Sequence, residues 1–194
     1  MDKNFYVNQF AVVDDNVEIG EGTKVWHFSH IQSGSRIGEK CVFGQNVNVG
    51  NNVFIGDYCK VQNNVSIYEG VTLEDYVFCG PSMVFTNILN PKCKYPQVGA
   101  QYYIKTLVKE GASIGANATI VCGNTLGKHC MIGAGSVVTK DVPDYALVIG
   151  APGRVIGWVS EAGKRLNFNK NEIAVCEKSG KKYQFKDNIV VEIN

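Results

Sequence analysis

The sequence predicts an all-β solenoid that winds one short strand per six residues around a triangular axis. One long loop leaves the coil, and a small β element follows at the C-terminal end. Three observations lead there. A large apolar residue recurs at every sixth position, a small residue tends to recur four places after it, and glycine follows the apolar residue in nine of twenty repeats.

Counting from Val7 in steps of six gives Val7, Val13, Ile19, Val25, Ile31, Ile37, Phe43, Val49, Ile55, Val61, Ile67, Leu73, Cys79 and Phe85, all apolar. A second run with the same step holds Val108, Ile114, Ile120, Leu126, Ile132 and Val138. In a chain that is 45% apolar, twenty apolar positions out of twenty have a chance probability on the order of 10⁻⁷ before the choice of register is allowed for. The position four places on holds Ala11, Thr23, Ser29, Ser35, Cys41, Cys59, Ala112, Ala118, Cys130 and Ser136, with valine at most others. A period of six, with glycine so frequent, is incompatible with the i, i+3, i+4, i+7 pattern of an amphipathic helix.

Each hexad therefore reads as a strand plus a corner, and three hexads close a coil of 18 residues. The large residue fills the axis, and the small one fits where two walls converge. Successive coils stack about 4.8 Å apart and pair their strands. Gly20, Gly38, Gly44, Gly50, Gly56, Gly80, Gly115, Gly127 and Gly133 are expected at the corners, where glycine accepts positive φ without penalty. Cys41, Cys59 and Cys130 become small core residues.

From Phe85 to Val108 is 23 residues, which is not a multiple of six. The segment 86–107 carries two prolines, three tyrosines and three lysines, and must leave the solenoid and return in register. Long excursions from a compact scaffold commonly carry function, and this mixture of aromatic and basic residues suits a nucleotide or a neighbouring subunit. After Val138 the repeat ends. Val155 to Arg165 is expected to form a short helix or turn that caps the open end. Ile173–Cys176, Lys182–Phe185 and Ile189–Ile193 read as short strands, with a turn at Ser179-Gly180. The chain thus divides into residues 1–160, the solenoid with its loop, and residues 161–194, a small capping element.

The 194 residues suit one domain with an appendage. A formal charge of +1, from 19 basic and 18 acidic residues, gives no electrostatic case for a nucleic-acid polymer or a membrane as partner. The first residues lack a signal peptide's apolar stretch, and no apolar run approaches the ~20 residues that cross a bilayer. A cytoplasmic location is expected. The seven cysteines form no CxxC pair and match no zinc spacing, so they are expected to be reduced and buried, with no metal site.

Three stretches carry a closer likeness. Ile114-Gly-Ala-Asn-Ala-Thr-Ile-Val-Cys-Gly-Asn-Thr-Leu-Gly127, with Ile132-Gly-Ala-Gly-Ser-Val-Val-Thr-Lys-Asp-Val-Pro143 and Val148-Ile-Gly-Ala-Pro-Gly-Arg154, resembles the coenzyme A half of the hexapeptide acyltransferases. That resemblance implies a left-handed β-helix and acetyl-coenzyme A as cosubstrate. Small Ala116, Ala134 and Gly135 would let the pantetheine arm approach the backbone, and Arg154 would meet a phosphate. Val25-Trp-His-Phe-Ser-His-Ile31, Val61-Gln-Asn-Asn-Val-Ser-Ile-Tyr-Glu-Gly70 and Phe78-Cys-Gly-Pro-Ser-Met-Val-Phe-Thr-Asn87 resemble the nucleotide-aminosugar N-acetyltransferases of bacterial polysaccharide synthesis. The nearest likeness is to those acetylating the 3-amino group of UDP-2-acetamido-3-amino-2,3-dideoxyglucuronate.

From this resemblance Asn87 is the active-site asparagine, and His27, His30, Asn64, Phe85 and Lys105 are substrate-side residues. Arg36, Lys60, Lys92 and Lys105 are candidates to meet a uronate carboxylate. His27 precedes Asn87 by 60 residues, about 3.3 coils or roughly 16 Å, too far for proton transfer within one subunit. Nucleotide or interface roles suit His27 and His30 better, while His129 falls at a corner. An amide is no base, so positioning and oxyanion stabilisation are expected, with the departing thiolate taking the amine proton. The family pattern further implies a homotrimer, the site lying between subunits and covered by the loop. The rival readings are an acetyltransferase for another sugar, such as a dTDP-3-amino-3,6-dideoxyhexose, and a non-catalytic β-helix scaffold.

Overall fold

The computed structural model describes residues 4–193; residue 1, 2, 3 and 194 of the two segments drawn above lie outside them. The chain folds into three parallel sheets that form the walls of a prism. The first wall stacks Tyr6–Val7, Lys24–Val25, Val42–Phe43, Lys60–Val61, Phe78–Cys79, Ser113–Ile114 and Met131–Ile132. The second runs from Val12–Val13 through Val84–Phe85 to Val137–Val138. The third holds Glu18–Ile19 through Val71–Leu73 and Thr106–Val108 to Thr125–Leu126. Partners lie one coil of 18 residues apart, as in Val7 with Val25 and Ile114 with Ile132. Across the loop the offset grows to 35, where Leu73 pairs Val108. The only described helix is a single 3-10 turn at Ala100–Tyr102. The architecture is all-β and matches the left-handed β-helix of hexapeptide repeats.

The period-six residue is the second or third residue of its strand and faces the axis. Val25, Ile31, Ile55, Leu73, Ile114 and Leu126 are all 0% exposed. From Thr23 onward the small residue four places on is buried too, and when polar it is satisfied by the next coil. Thr23, Ser29 and Ser35 donate their hydroxyls to the carbonyls of Gly38, Gly44 and Gly50 at 2.8, 2.8 and 2.7 Å. The thiols of Cys41 and Cys59 make the equivalent contact to the carbonyls of Gly56 and Glu74, each at 3.1 Å. A buried hydroxyl left without a partner would be destabilising, so serine, threonine and cysteine interchange here because each can donate along the axis.

The glycines of the repeat are required for a reason other than the expected one. Gly20, Gly38, Gly56 and Gly115 do not have positive φ. The left-handed residues come two places later, at Asn16, Gly22, Phe28, Gly34, Lys40, Asn46, Tyr58, Asn64, Asn117 and Gly135 among others. A Cβ on Gly20 would lie 2.5 Å from the Gly38 carbonyl carbon, and one on Gly115 2.5 Å from the Ala134 nitrogen. Close stacking of coil on coil, not turn conformation, selects these glycines.

The expected helix or turn at 155–165 is corrected in its first half, while residues 160–163 do form a turn, Gly163 N–H donating to the Ser160 carbonyl at 2.8 Å. Arg154–Trp158 is a strand, antiparallel to Ala146–Ile149, the last parallel strand of the first wall. That edge would otherwise present unpaired N–H and C=O groups, and reversal through Gly150–Gly153 pairs it, which a helix could not. Ile173–Val175, Lys182–Lys186 and Ile189–Ile193 then form a separate antiparallel sheet. It encloses a small core of Leu166, Ala174, Cys176, Tyr183 and Val190 and packs on Tyr145 and Trp158 of the solenoid. The Tyr145 and Tyr183 rings meet edge-on at 5.4 Å.

Candidate functional site

The long loop leaves the solenoid at the corner between the second and third walls, immediately after Phe85, and Asn87 stands at its root. The loop is pinned there, since Ile104 N–H donates to the Asn87 carbonyl at 2.8 Å and Thr106 N–H to that of Gly70 at 3.0 Å. Gly70 has φ +96, and an added Cβ would meet Tyr103 and Ile104 at 3.7 Å, so the returning segment lies directly against this corner. Because one coil is 18 residues, Glu69 sits in the corner position one coil before Asn87. The Asn87 amide donates to the Glu69 carbonyl at 3.4 Å, and the Glu69 carboxylate accepts the Asn52 amide at 3.2 Å.

Two clefts meet here. One, of about 160 Å³, is lined by Gln32, Asn48, Tyr68, Glu69, Asn87 and Tyr103. The other, of about 320 Å³, is lined by Asn52, Glu69, Thr72, Ala100, Tyr103 and Lys105. Glu69 and Tyr103 are shared between them. The combined surface offers amides, phenols, one carboxylate and one ammonium, which suits a polar, hydroxyl-rich ligand.

The sequence-derived residues fall into separate groups. Asn87 and Lys105 come together around Glu69 and Tyr103. His30 is on the second wall, its Nε2 2.8 Å from Asp14 Oδ1, and it pairs with Asn48, which lines the smaller cleft. His27, Asn64, Ala116, Ala134 and Gly135 share the other edge of the second wall, at the corner it makes with the first. His27 stacks among Trp26, Phe10 and Phe28, with Nε2 3.2 Å from the Asn8 amide. Asn64, at φ 62, accepts the Asn46 amide at 3.0 Å in a ladder along that corner. Ala134 also borders an apolar groove of about 390 Å³ with Phe78, Ile114, Met131 and Gly133. Arg154 is exposed on the terminal strand, its Nη1 donating to the Gly153 carbonyl at 3.0 Å. His129 lies at the third corner, stacked 5.3 Å from Tyr145.

Phe85 is corrected. It is 1% exposed, occupies the axial position of its hexad, and has no surface to offer a substrate. Two residues that bear on the site were missed, Glu69 and Tyr103. Glu69 could have been found, since it precedes Asn87 by one coil period; Tyr103 could not, because the fold of a loop has no period. Cys79 and Cys130 offer no nucleophile, because burial pushes their thiols up to about 12.

Comparison with known proteins follows the same division. The family profile "Bacterial transferase hexapeptide (six repeats)" matches residues 16–51, and "Hexapeptide repeat of succinyl-transferase" matches 35–69 and 110–140. The dTDP-3-amino-3,6-dideoxy-alpha-D-galactopyranose 3-N-acetyltransferase of Aneurinibacillus thermoaerophilus is 52% identical over 89 residues, 46% of this chain and 45% of that protein. The galactoside O-acetyltransferase of Lactococcus lactis is 30% identical over 128 residues, 61% of this chain and 60% of the relative. The chain thus matches less than two thirds of the length of either. A crystal structure of a hexapeptide-repeat acetyltransferase from Vibrio cholerae, complexed with acetyl-coenzyme A, superposes with TM-score 0.56 at 28% identity, covering 66% of this chain and 72% of that one. By repeat, register and these likenesses, the chain is a hexapeptide-repeat β-helix similar to acetyltransferases, a sugar N-acetyltransferase among them.

Proposed function

We propose that the chain transfers an acetyl group from acetyl-coenzyme A to the 3-amino group of a nucleotide-linked aminosugar. The observation that carries this reading is the cleft at the loop root, where Asn87 stands among amides, two tyrosines and one carboxylate. The 52% identity to an enzyme named for a dTDP-3-amino sugar supports it. The amine nitrogen attacks the thioester carbonyl, the C–N bond forms as the C–S bond breaks, and the amine proton leaves with the thiolate. Asn87 orients the amine or donates to the developing oxyanion.

The finer substrate is a dTDP-3-amino-3,6-dideoxyhexose, a sugar without a carboxylate, because the smaller cleft holds a carboxylate and no cation. A UDP-linked 2-acetamido-3-amino-2,3-dideoxyglucuronate is the second reading, favoured by Lys105 in the adjoining cleft as a partner for the uronate. Ala116, Ala134, Gly135 and Arg154 are proposed for the coenzyme. They lie one wall away from Asn87, roughly 15–20 Å at ~3.3 Å per residue. That separation supports a site completed by a second copy, as in a homotrimer. Thiol release from acetyl-coenzyme A, measured against a panel of nucleotide-linked aminosugars with mass analysis of the product, tests the reading. No N-acetylated product from any 3-amino sugar would sink it.

A further inference from the structure

We infer that Glu69 is the specificity-determining residue of this site, its carboxylate receiving the sugar's 3-ammonium and turning away sugars that bear a carboxylate. The inference rests on the aminosugar reading above. Three observations place Glu69 in this role. It borders both clefts. Its carboxylate is held by the Asn52 amide at 3.2 Å, and its backbone carbonyl holds the Asn87 amide at 3.4 Å. Asn52 is itself at a left-handed corner, φ 56, so one coil aims the Glu69 carboxylate while the next coil's asparagine is held by the same residue's backbone carbonyl. The acidic ion-pair partners among the described residues are Asp14, Glu18, Glu110, Glu161 and Glu192. Glu69 is not among them, and its charge is available to a ligand.

An aminosugar arrives largely as the ammonium at neutral pH, and a carboxylate within about 4–6 Å favours that charged form. The proton passes to solvent before attack, and the neutral amine then keeps Glu69 as acceptor for one N–H while its lone pair faces the thioester. Glu69 therefore tightens amine binding and raises the pH at which the bound amine becomes nucleophilic. Asn87 acts on the reacting group, whereas Glu69 selects and orients it.

The test compares wild type, Glu69→Gln and Glu69→Asp on the full chain. Calorimetry without coenzyme measures binding of dTDP-3-amino-3,6-dideoxygalactose and of its 3-hydroxy counterpart at pH 7. Wild type and Glu69→Asp should prefer the amine by about tenfold, and Glu69→Gln by close to nothing. In turnover, the rising limb of kcat against pH should move about one pH unit lower in Glu69→Gln, while coenzyme A affinity stays unchanged. Turnover of a UDP-linked aminouronate relative to the dideoxyhexose should rise in Glu69→Gln. An unchanged amine preference in Glu69→Gln overturns the inference. So does an equal loss in Glu69→Asp with melting temperature intact, which would mean shape rather than charge. A wild type that N-acetylates no 3-amino sugar removes the underlying function and this inference with it.

Discussion

Replacing Gly115 with alanine puts a methyl group where the next coil already is. The added Cβ would lie 2.5 Å from Ala134 N, 2.8 Å from Ala134 Cα and 2.8 Å from the Gly133 carbonyl carbon. All three are backbone atoms, so no side chain can rotate away. The coils are also tied on both sides of the contact, Gly115 N–H to the Ile132 carbonyl at 2.8 Å and Gly135 N–H to the Ala116 carbonyl at 2.8 Å. Overlap of nearly 1 Å against ordinary contact falls at the upper end of overpacking, about 3 kcal/mol. Alanine restricts the unfolded chain and returns about 0.4–1 kcal/mol, leaving a net loss of about 2 kcal/mol. Gly135→Ala is the control. It has φ +68 with nothing within 4 Å, so it suffers only left-handed strain of about 1–2 kcal/mol, about half of which the unfolded-state effect offsets. Urea unfolding followed by circular dichroism should place Gly115→Ala clearly below Gly135→Ala. If Gly135→Ala is the less stable of the two, corner conformation rather than coil contact governs the repeat, and the reasoning is wrong.

Asn87→Ala should lower kcat by about 10²-fold with coenzyme affinity and melting temperature preserved. Full retention of kcat, alongside its abolition in folded His27→Ala or His30→Ala, would move the chemistry to a histidine. Ser35→Ala should destabilise by about 1 kcal/mol by stranding its contact to the Gly50 carbonyl. Ser35→Cys should lose less, because Cys41 makes the same contact one hexad on; an equal loss in both would refute the interchange. In the native state a thiol reagent at pH 8 should modify Cys93 rapidly and no other cysteine, since Cys93 alone is exposed. Stability should also fall in alkali. Unfolded thiols ionise from their ordinary value of 9.0, while Cys79 and Cys130 hold their protons up to about 12. The folded state then binds more protons, so stability is full below pH 9 and is lost as pH rises towards 12. The loss at pH 10 is about 1.4 kcal/mol for each thiol. A flat unfolding free energy from pH 8 to 10.5 would contradict this.

The period of six determined the axis-facing residues, the three walls and the 18-residue register, because each hexad repeats the same local choice between inside and outside. The same period places Glu69 one coil from Asn87, and the break after Phe85 marks where the loop must leave. Tertiary structure decided the rest. Only stacking reveals that Gly20 and Gly115 answer to the neighbouring coil's backbone and that the left-handed positions lie two residues later. The 150s became a strand because an open sheet edge needed partners, a demand no local pattern expresses. Phe85 belongs to the core although its neighbour Asn87 belongs to the cleft, since two residues suffice to pass from axis to corner. Tyr103 comes to line the same clefts as Glu69 through a non-repeating loop, and that shared lining exists only once the chain has folded back on the corner it left.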